Sequence, residues 1–179
     1  MKTVYIEHST GTSRRCDWAA ELDLTEKPQR IVVGTGPGSF AGIRAALAFA
    51  QGYALGAPGC EVLGLPSACA LVEDGDGPLA VVGDARRGLY WVALFDGFRL
   101  VTDIFLATAE ELPLRVPLSA TVVTPDVARI DAFLKETFAA RYAGGRTPTP
   151  EGLRRFAEAC PGILKPEPLP IYLNPAVRT

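Results

Sequence analysis

One histidine and one methionine occur among the 179 residues. With His8 alone, neither HExxH nor any other two-histidine metal site can be built, which excludes the common zinc-hydrolase designs. The four cysteines, Cys16, Cys60, Cys69 and Cys160, are scattered without a CxxC pair. Secreted disulfide scaffolds are far denser in cysteine, so buried reduced thiols are expected. Basic residues are not in surplus, since 18 Lys and Arg against 20 Asp and Glu leave a formal net charge of -2. Phosphate contacts dominate nucleic-acid affinity, so the chain alone makes a poor nucleic-acid binder. Apolar runs such as residues 45–50 are far short of the ~20 residues that span a membrane. The first nine residues carry no cationic leader ahead of a long apolar stretch. These absences point to a cytoplasmic protein with no membrane partner. They also predict no catalytic metal and no cofactor.

Apolar residues are plentiful, at 48% of the chain. That content is incompatible with disorder and sufficient for a core at this length. Thr3–Ile6 reads as a short strand and residues 16–24 as about two helical turns. Arg30–Gly34 is a β-branched run bounded by turn signals, the pattern of a strand buried on both faces. A Gly-rich loop, residues 34–40, leads into a helix over 41–56. A strand over 61–64 follows, and Ser67 is placed to cap a short helix to Val72. The polar stretch 73–78 has the character of a lobe boundary. Beyond it, 79–82, 89–95 and 99–104 read as a three-stranded meander, with Asp96-Gly97 as a hairpin turn. A strand over 121–123, helices over 126–142 and 149–160, and an extended Pro-rich end complete the reading. Strand–helix alternation followed by a meander is an α/β layered fold. The expected division is a first lobe over 1–77, a second over 78–165, and a tail over 166–179.

Three segments carry chemistry. The loop Gly36-Pro37-Gly38-Ser39-Phe40 reads as a strand-to-helix turn with Ser39 as N-cap. Anion binding at a helix start is the alternative, weakened because Pro37 has no N–H and neither phosphate-loop pattern is present. Within the helix 41–56 only Arg44, Gln51 and the Tyr53 hydroxyl are polar. On a 100° wheel, Ile43, Ala46, Leu47, Ala50, Tyr53 and Ala54 share one face. The opposite face holds Ala41, Ala45, Ala48 and Gly52, flanked by Phe49 and Leu55, with Arg44 and Gln51 as a narrow polar strip. Small apolar residues there suit close approach of another protein, the alternative being cover by the chain's own second lobe or first helix. The segment Gly83-Asp84-Ala85-Arg86-Arg87-Gly88 concentrates charge between two apolar strands. Its arginines either grip a phosphate or carboxylate, or decorate a solvated hairpin tip. Glu7 closes the first strand ahead of a Ser/Thr/Gly turn, a weaker candidate for holding magnesium and phosphate.

GPGSFAGIR, residues 36–44, its helix, GDARRGLYW, residues 83–91, and the end PLPIYLNP, residues 168–175, resemble the TsaB (YeaZ) family. The motif positions are Gly36, Pro37, Gly38, Ser39, Phe40, Gly42, Asp84 and Arg86. The resemblance implies an actin-like, RNase H-like fold in two small lobes. It implies a non-catalytic subunit in threonylcarbamoyl-adenosine modification of tRNA, beside the anticodon. TsaD would be its catalytic partner, a TsaE ATPase would join them, and tRNA would be met only through the complex. In that family the helix after GPGSF helps form the partner interface, so Ala41, Arg44, Ala45, Ala48, Phe49, Gly52 and Leu55 are the expected contact residues. The chain departs from the family near its start, as a shortened and divergent member. Glu7-His8-Ser9 replaces the usual Asp-Thr-Ser, the first hairpin has no counterpart, and Asn174 stands where arginine is usual. An ATP-binding, kinase-like protein of the same superfamily and a standalone homodimer are the alternative readings.

Overall fold

The computed structural model describes residues 2–10 and 27–173. It divides into two units, Met1–Ala70 with Pro148–Ile171, and Leu71–Thr147 with Tyr172–Thr179. The predicted helix over 16–24 and Asn174 lie outside the described residues.

In the first unit the β-branched run forms the predicted strand. β1 (Thr3–Ile6), β2 (Arg30–Gly34) and β3 (Glu61–Leu65) are parallel and adjacent, and β10 (Lys165–Pro166) pairs antiparallel with β3. Ile31, Val32 and Val33 are fully enclosed, as a strand covered on both faces must be. One face is covered by α1 (Phe40–Gly56), whose Ile43, Ala46, Leu47 and Ala50 pack against Val4, Ile6, Ile31 and Val33. α4 (Pro150–Ala159) buries Leu153, Phe156 and Ala157 and packs against β1. Its N-cap Thr149 accepts the Gly152 N–H at 3.0 Å, with Pro150 pre-set for the first turn.

The second unit is a sheet in the order β6-β5-β4-β8-β9. β4 (Pro78–Arg86), β5 (Leu89–Asp96) and β6 (Arg99–Leu100) form the predicted meander; β8 (Thr121–Thr124) adds in parallel to β4, and β9 (Tyr142–Gly145) in parallel to β8. α2 (Leu112–Arg115) contributes Leu112 to the core, and α3 (Val127–Phe138) contributes Ile130, Leu134 and Phe138.

Four expectations are corrected. The strand over 99–104 stops at Leu100, because Val101, Thr102 and Asp103 are exposed; β7 (Phe105–Thr108) then rejoins the same edge of β5, with Ala107 buried. The helix over 126–142 ends at Phe138, where Ala139 turns left-handed at φ 47°, and Tyr142 opens β9. The strand over 79–82 extends to Arg86, so the charged six-residue segment shrinks to a two-residue turn. The division at residue 165 also fails. Residues 148–171 belong to the first unit, because the apolar face of α4 covers that sheet and β10 extends it.

Candidate protein-binding face and the loop that sets it

The loop between β2 and α1 is held by its own backbone groups. Thr35 N–H donates to Leu65 C=O at 2.9 Å, and Ile171 N–H donates to Thr35 C=O at 2.8 Å. Gly36 N–H donates to Ser67 Oγ at 3.0 Å, and Ser67 N–H returns to Gly36 C=O at 2.7 Å. Ser67 therefore ties the loop as well as opening the short helix that the sequence reading placed there. Residues Ser67–Leu71 form a 3-10 turn. Gly36 sits at φ 95° ahead of a cis peptide to Pro37, a left-handed position that favours glycine. Ser39 is the N-cap, its Oγ accepting the Gly42 N–H at 3.3 Å. Its own N–H donates to Ser9 C=O at 2.5 Å. The N–H groups of Thr35, Gly36 and Ser39 are thus committed to protein oxygens, and Pro37 has none. A phosphate would find few free donors here.

The segment after β1 closes against this loop. Glu7 Oε1 accepts the Ser9 N–H at 2.6 Å. Its Oε2 is enclosed and has no hydrogen-bond partner. That oxygen lies over Gly34, where a Cβ would collide with it, and beside the Ser67 hydroxyl. Burial pushes the Glu7 carboxyl above its ordinary range, against the opposing effect of the nearby polar groups of Ser9, Ser67 and the His8 backbone. Burial also makes the neighbouring His8 less basic. A Cβ at Gly42 would collide with the His8 carbonyl, so the first turn of α1 rests directly on this segment. Sequence reasoning noticed Glu7 as a strand-end carboxylate but missed this role, which depends on the missing side chain of Gly34.

Of the residues assigned to the outer face of α1, Phe49 packs partly against the core of the first unit. Ala41, Arg44, Ala48, Gly52 and Leu55 are exposed, and Ala45 and Phe49 are half-buried. Leu55 is 88% exposed and Phe40 57%, both large for solvent-facing apolar groups. A Cβ at Gly52 would touch nothing. The Arg44 guanidinium lies 5.0 Å from the centre of the Phe40 ring. This face is apolar, with Arg44 as its one charged side chain.

In the second unit, Asp84 and Arg86 stand at the end of β4, and two residues missed from sequence join them. Asp84 N–H donates to Asp126 Oδ2 at 2.9 Å. Asp84 Oδ1 accepts the Arg86 N–H at 2.8 Å, while Oδ2 takes Arg129 Nη1 at 3.3 Å and lies 3.5 Å from Arg86 Nη1. Burial raises the Asp126 carboxyl, opposed by the Asp84 N–H and Arg129. Arg86 and Arg87 hold φ values of 70° and 55°, and Gly88 completes the turn at 75°. Arg86 is therefore tied to its own strand through Asp84, and the motif's acid orders the hairpin. A further pair went unseen: Arg146 donates to Asp76 through both terminal nitrogens, at 2.5 and 3.0 Å, and to Leu71 C=O at 2.9 Å. Among the described residues, no three His, Cys, Asp or Glu side chains are grouped to hold a metal. Cys60, Cys69 and Cys160 are free thiols, and no described helix is long and apolar enough to cross a membrane.

Comparison with known proteins follows this geometry. The family model described as TsaD: tRNA N6-adenosine threonylcarbamoyltransferase matches residues 17–136. An uncharacterized protein of Mycobacterium bovis is 37% identical over 148 residues, 80% of this chain and 63% of that protein. One from Mycobacterium leprae is 44% identical over 84 residues, 45% of this chain and 22% of that protein. The chain thus spans 63% of the length of the Mycobacterium bovis relative. YeaZ from Pseudomonas aeruginosa superimposes with a TM-score of 0.71 at 19% identity, covering 97% of this chain and 100% of that structure. An uncharacterized protein with similarity to peptidase YEAZ from Pseudomonas aeruginosa gives 0.70 at the same identity and coverage. The architecture is the actin-like, RNase H-like fold of those structures.

Proposed function

This chain belongs to the family of TsaD, tRNA N6-adenosine threonylcarbamoyltransferase, and we propose that it acts there as a TsaB-like, non-catalytic partner of a TsaD protein. The observation that carries the reading is the outer face of α1, with Ala41, Ala48, Gly52 and Leu55 exposed on a helix whose inner face already serves the core. Apolar surface of this kind is stabilised by a second protein surface rather than by water. The residue content supports a non-catalytic role. One histidine in the whole chain leaves no pair of imidazoles for a metal centre of the kind that activates water or polarises a carbonyl.

On this reading the chain stabilises or orients the transferase, a TsaE-like ATPase joins the assembly, and tRNA is met only through the complex, in the cytoplasm. The actin-like fold brings nucleotide binding to mind, but the loop before α1 fits a phosphate poorly because its N–H groups are already bonded to protein oxygens. No step through ATP is assigned to this chain.

The test is co-expression of the tagged chain with the TsaD protein of the same cell. The reading expects the two to elute together in fixed ratio, and threonylcarbamoyl-adenosine formation to depend on adding the chain. A TsaD protein that elutes alone and modifies tRNA fully without the chain would overturn it. A homodimer through α1 that ignores TsaD would replace it with the standalone reading.

A further inference from the structure

The enclosed oxygen of Glu7 calls for a physical explanation. A buried polar atom without a partner costs about 1–3 kcal/mol, and more when it is charged. Glu7 Oε1 is satisfied by the Ser9 N–H, whereas Oε2 is shut in over Gly34 with no donor. The strongest influences on this carboxyl are burial and the nearby polar groups of Ser9, Ser67 and the His8 backbone, and none of these is a cation. Among the described residues the remaining titratable neighbours are His8, next in the chain, and the buried Cys69 thiol on the 3-10 turn. Burial lowers the basicity of the first and raises the second above its ordinary range.

A proton on Oε2 resolves the conflict. A neutral carboxyl removes the unpaired charge, and its O–H faces Ser67 Oγ, which accepts the Gly36 N–H and has a second lone pair. Loss of that proton to solvent leaves a buried carboxylate whose outer oxygen has, among the described residues, only the Ser67 hydroxyl beside it to offset the lost hydration. Relief comes from lifting the carboxyl off Gly34, and that motion takes Oε1 away from the Ser9 N–H. Ser9 is the link to the helix, because its C=O accepts the Ser39 N–H, and Ser39 caps α1.

We propose that Glu7 is a proton-responsive positioning residue, the fixed end of a relay through Ser9 and Ser39 that sets where α1 begins. The consequence for partner binding rests on the function proposed above; the relay itself does not.

The experiment is an NMR titration of the full chain from acid to mildly alkaline pH, reading the Glu7 carboxyl carbon, the Ser9, Gly36 and Ser39 amides, and the His8 ring. The expected result is a Glu7 midpoint above the ordinary glutamate range, with the three amides moving at that same midpoint. In Glu7→Gln that movement disappears while the chain stays folded. Amides that stay flat through the Glu7 midpoint, or follow only the His8 ring, would overturn the proposal, as would a Glu7 that titrates like an exposed carboxyl. Should Glu7→Gln fail to fold, the wild-type titration still decides. Association with the TsaD protein over the same range separates the two ideas. Binding that weakens as Glu7 deprotonates supports both, and binding indifferent to pH removes the functional consequence. A chain that never binds leaves the amide titration to decide the relay alone.

Discussion

α1 and α3 solve the same packing problem with opposite outer surfaces. Each lays one apolar face on the sheet of its own unit, through Ile43, Ala46, Leu47 and Ala50 in α1, and through Ile130, Leu134 and Phe138 in α3. Outward, α3 carries Arg129, Lys135 and Glu136, with Lys135 paired to Asp131 at 2.7 Å. α4 does likewise, where Arg154 bonds both Glu151 and Glu158. α1 presents alanine, glycine and leucine instead. Solvent-facing helices gain solubility and a little stability from such charged pairs. On the proposed reading, a helix that omits them over its outer surface is shaped for contact with protein.

The largest effects should be alike in the two helices, because their inner faces do the same job. Leu47→Arg and Leu134→Arg each place an unpaired guanidinium in a core, at positions 5% and 0% exposed. Each should cost about 4 kcal/mol or more and abolish the cooperative melt of its unit. Circular dichroism melts of both variants check this. A mild effect at Leu47 would mean that α1 does not pack as described, and the comparison would fail at its base.

The next effect separates the helix starts. Gly42→Ala forces a Cβ against the His8 carbonyl, a backbone atom that cannot swing aside. A cost of about 2 kcal/mol is expected, although alanine is the better helix former. Ala128, at the start of α3, is exposed, so Ala128→Ser should leave the melt almost unchanged. Denaturant midpoints for the two variants give the contrast directly.

Much of this was legible in the sequence for identifiable reasons. The β-branched run of β2, the Ser39 cap, and the two-faced apolar character of α1 are local properties that survive folding. What was illegible depends on distant partners. Asp84 meets Asp126 across 42 positions and Arg146 meets Asp76 across 70, and no spacing rule connects such residues. β9, Tyr-Ala-Gly-Gly, has almost no strand-forming content and exists because the edge of β8 is available to it. The role of Glu7 stayed hidden for the same reason, since its seat is made by the absence of a side chain at Gly34.

Smaller effects sharpen the account of the caps. Ser39→Ala and Thr149→Ala each remove one hydroxyl acceptor from a helix N-terminus and should cost about 1 kcal/mol. Ser39→Ala keeps the N–H that bonds Ser9, so it should leave the Glu7 relay working. Hydrogen exchange at the Gly42 and Gly152 amides reads the two caps separately. Equal loss at both amides in either single variant would show that the caps are not local.

The smallest stability effects lie on the outer faces, and there the functional difference should appear. Ala48→Arg in α1 and Ala132→Arg in α3 both put arginine at an exposed helical site, so each should shift the melt by no more than about 0.5 kcal/mol. The direct test is sedimentation velocity of these two variants and the wild-type chain, with and without the TsaD protein of the same cell. The account predicts that wild type and Ala132→Arg associate, and that Ala48→Arg, melting like wild type, does not, because a guanidinium cannot be desolvated in a close helix contact. Ala48→Arg that associates like wild type, or that melts as early as Leu47→Arg, would contradict it.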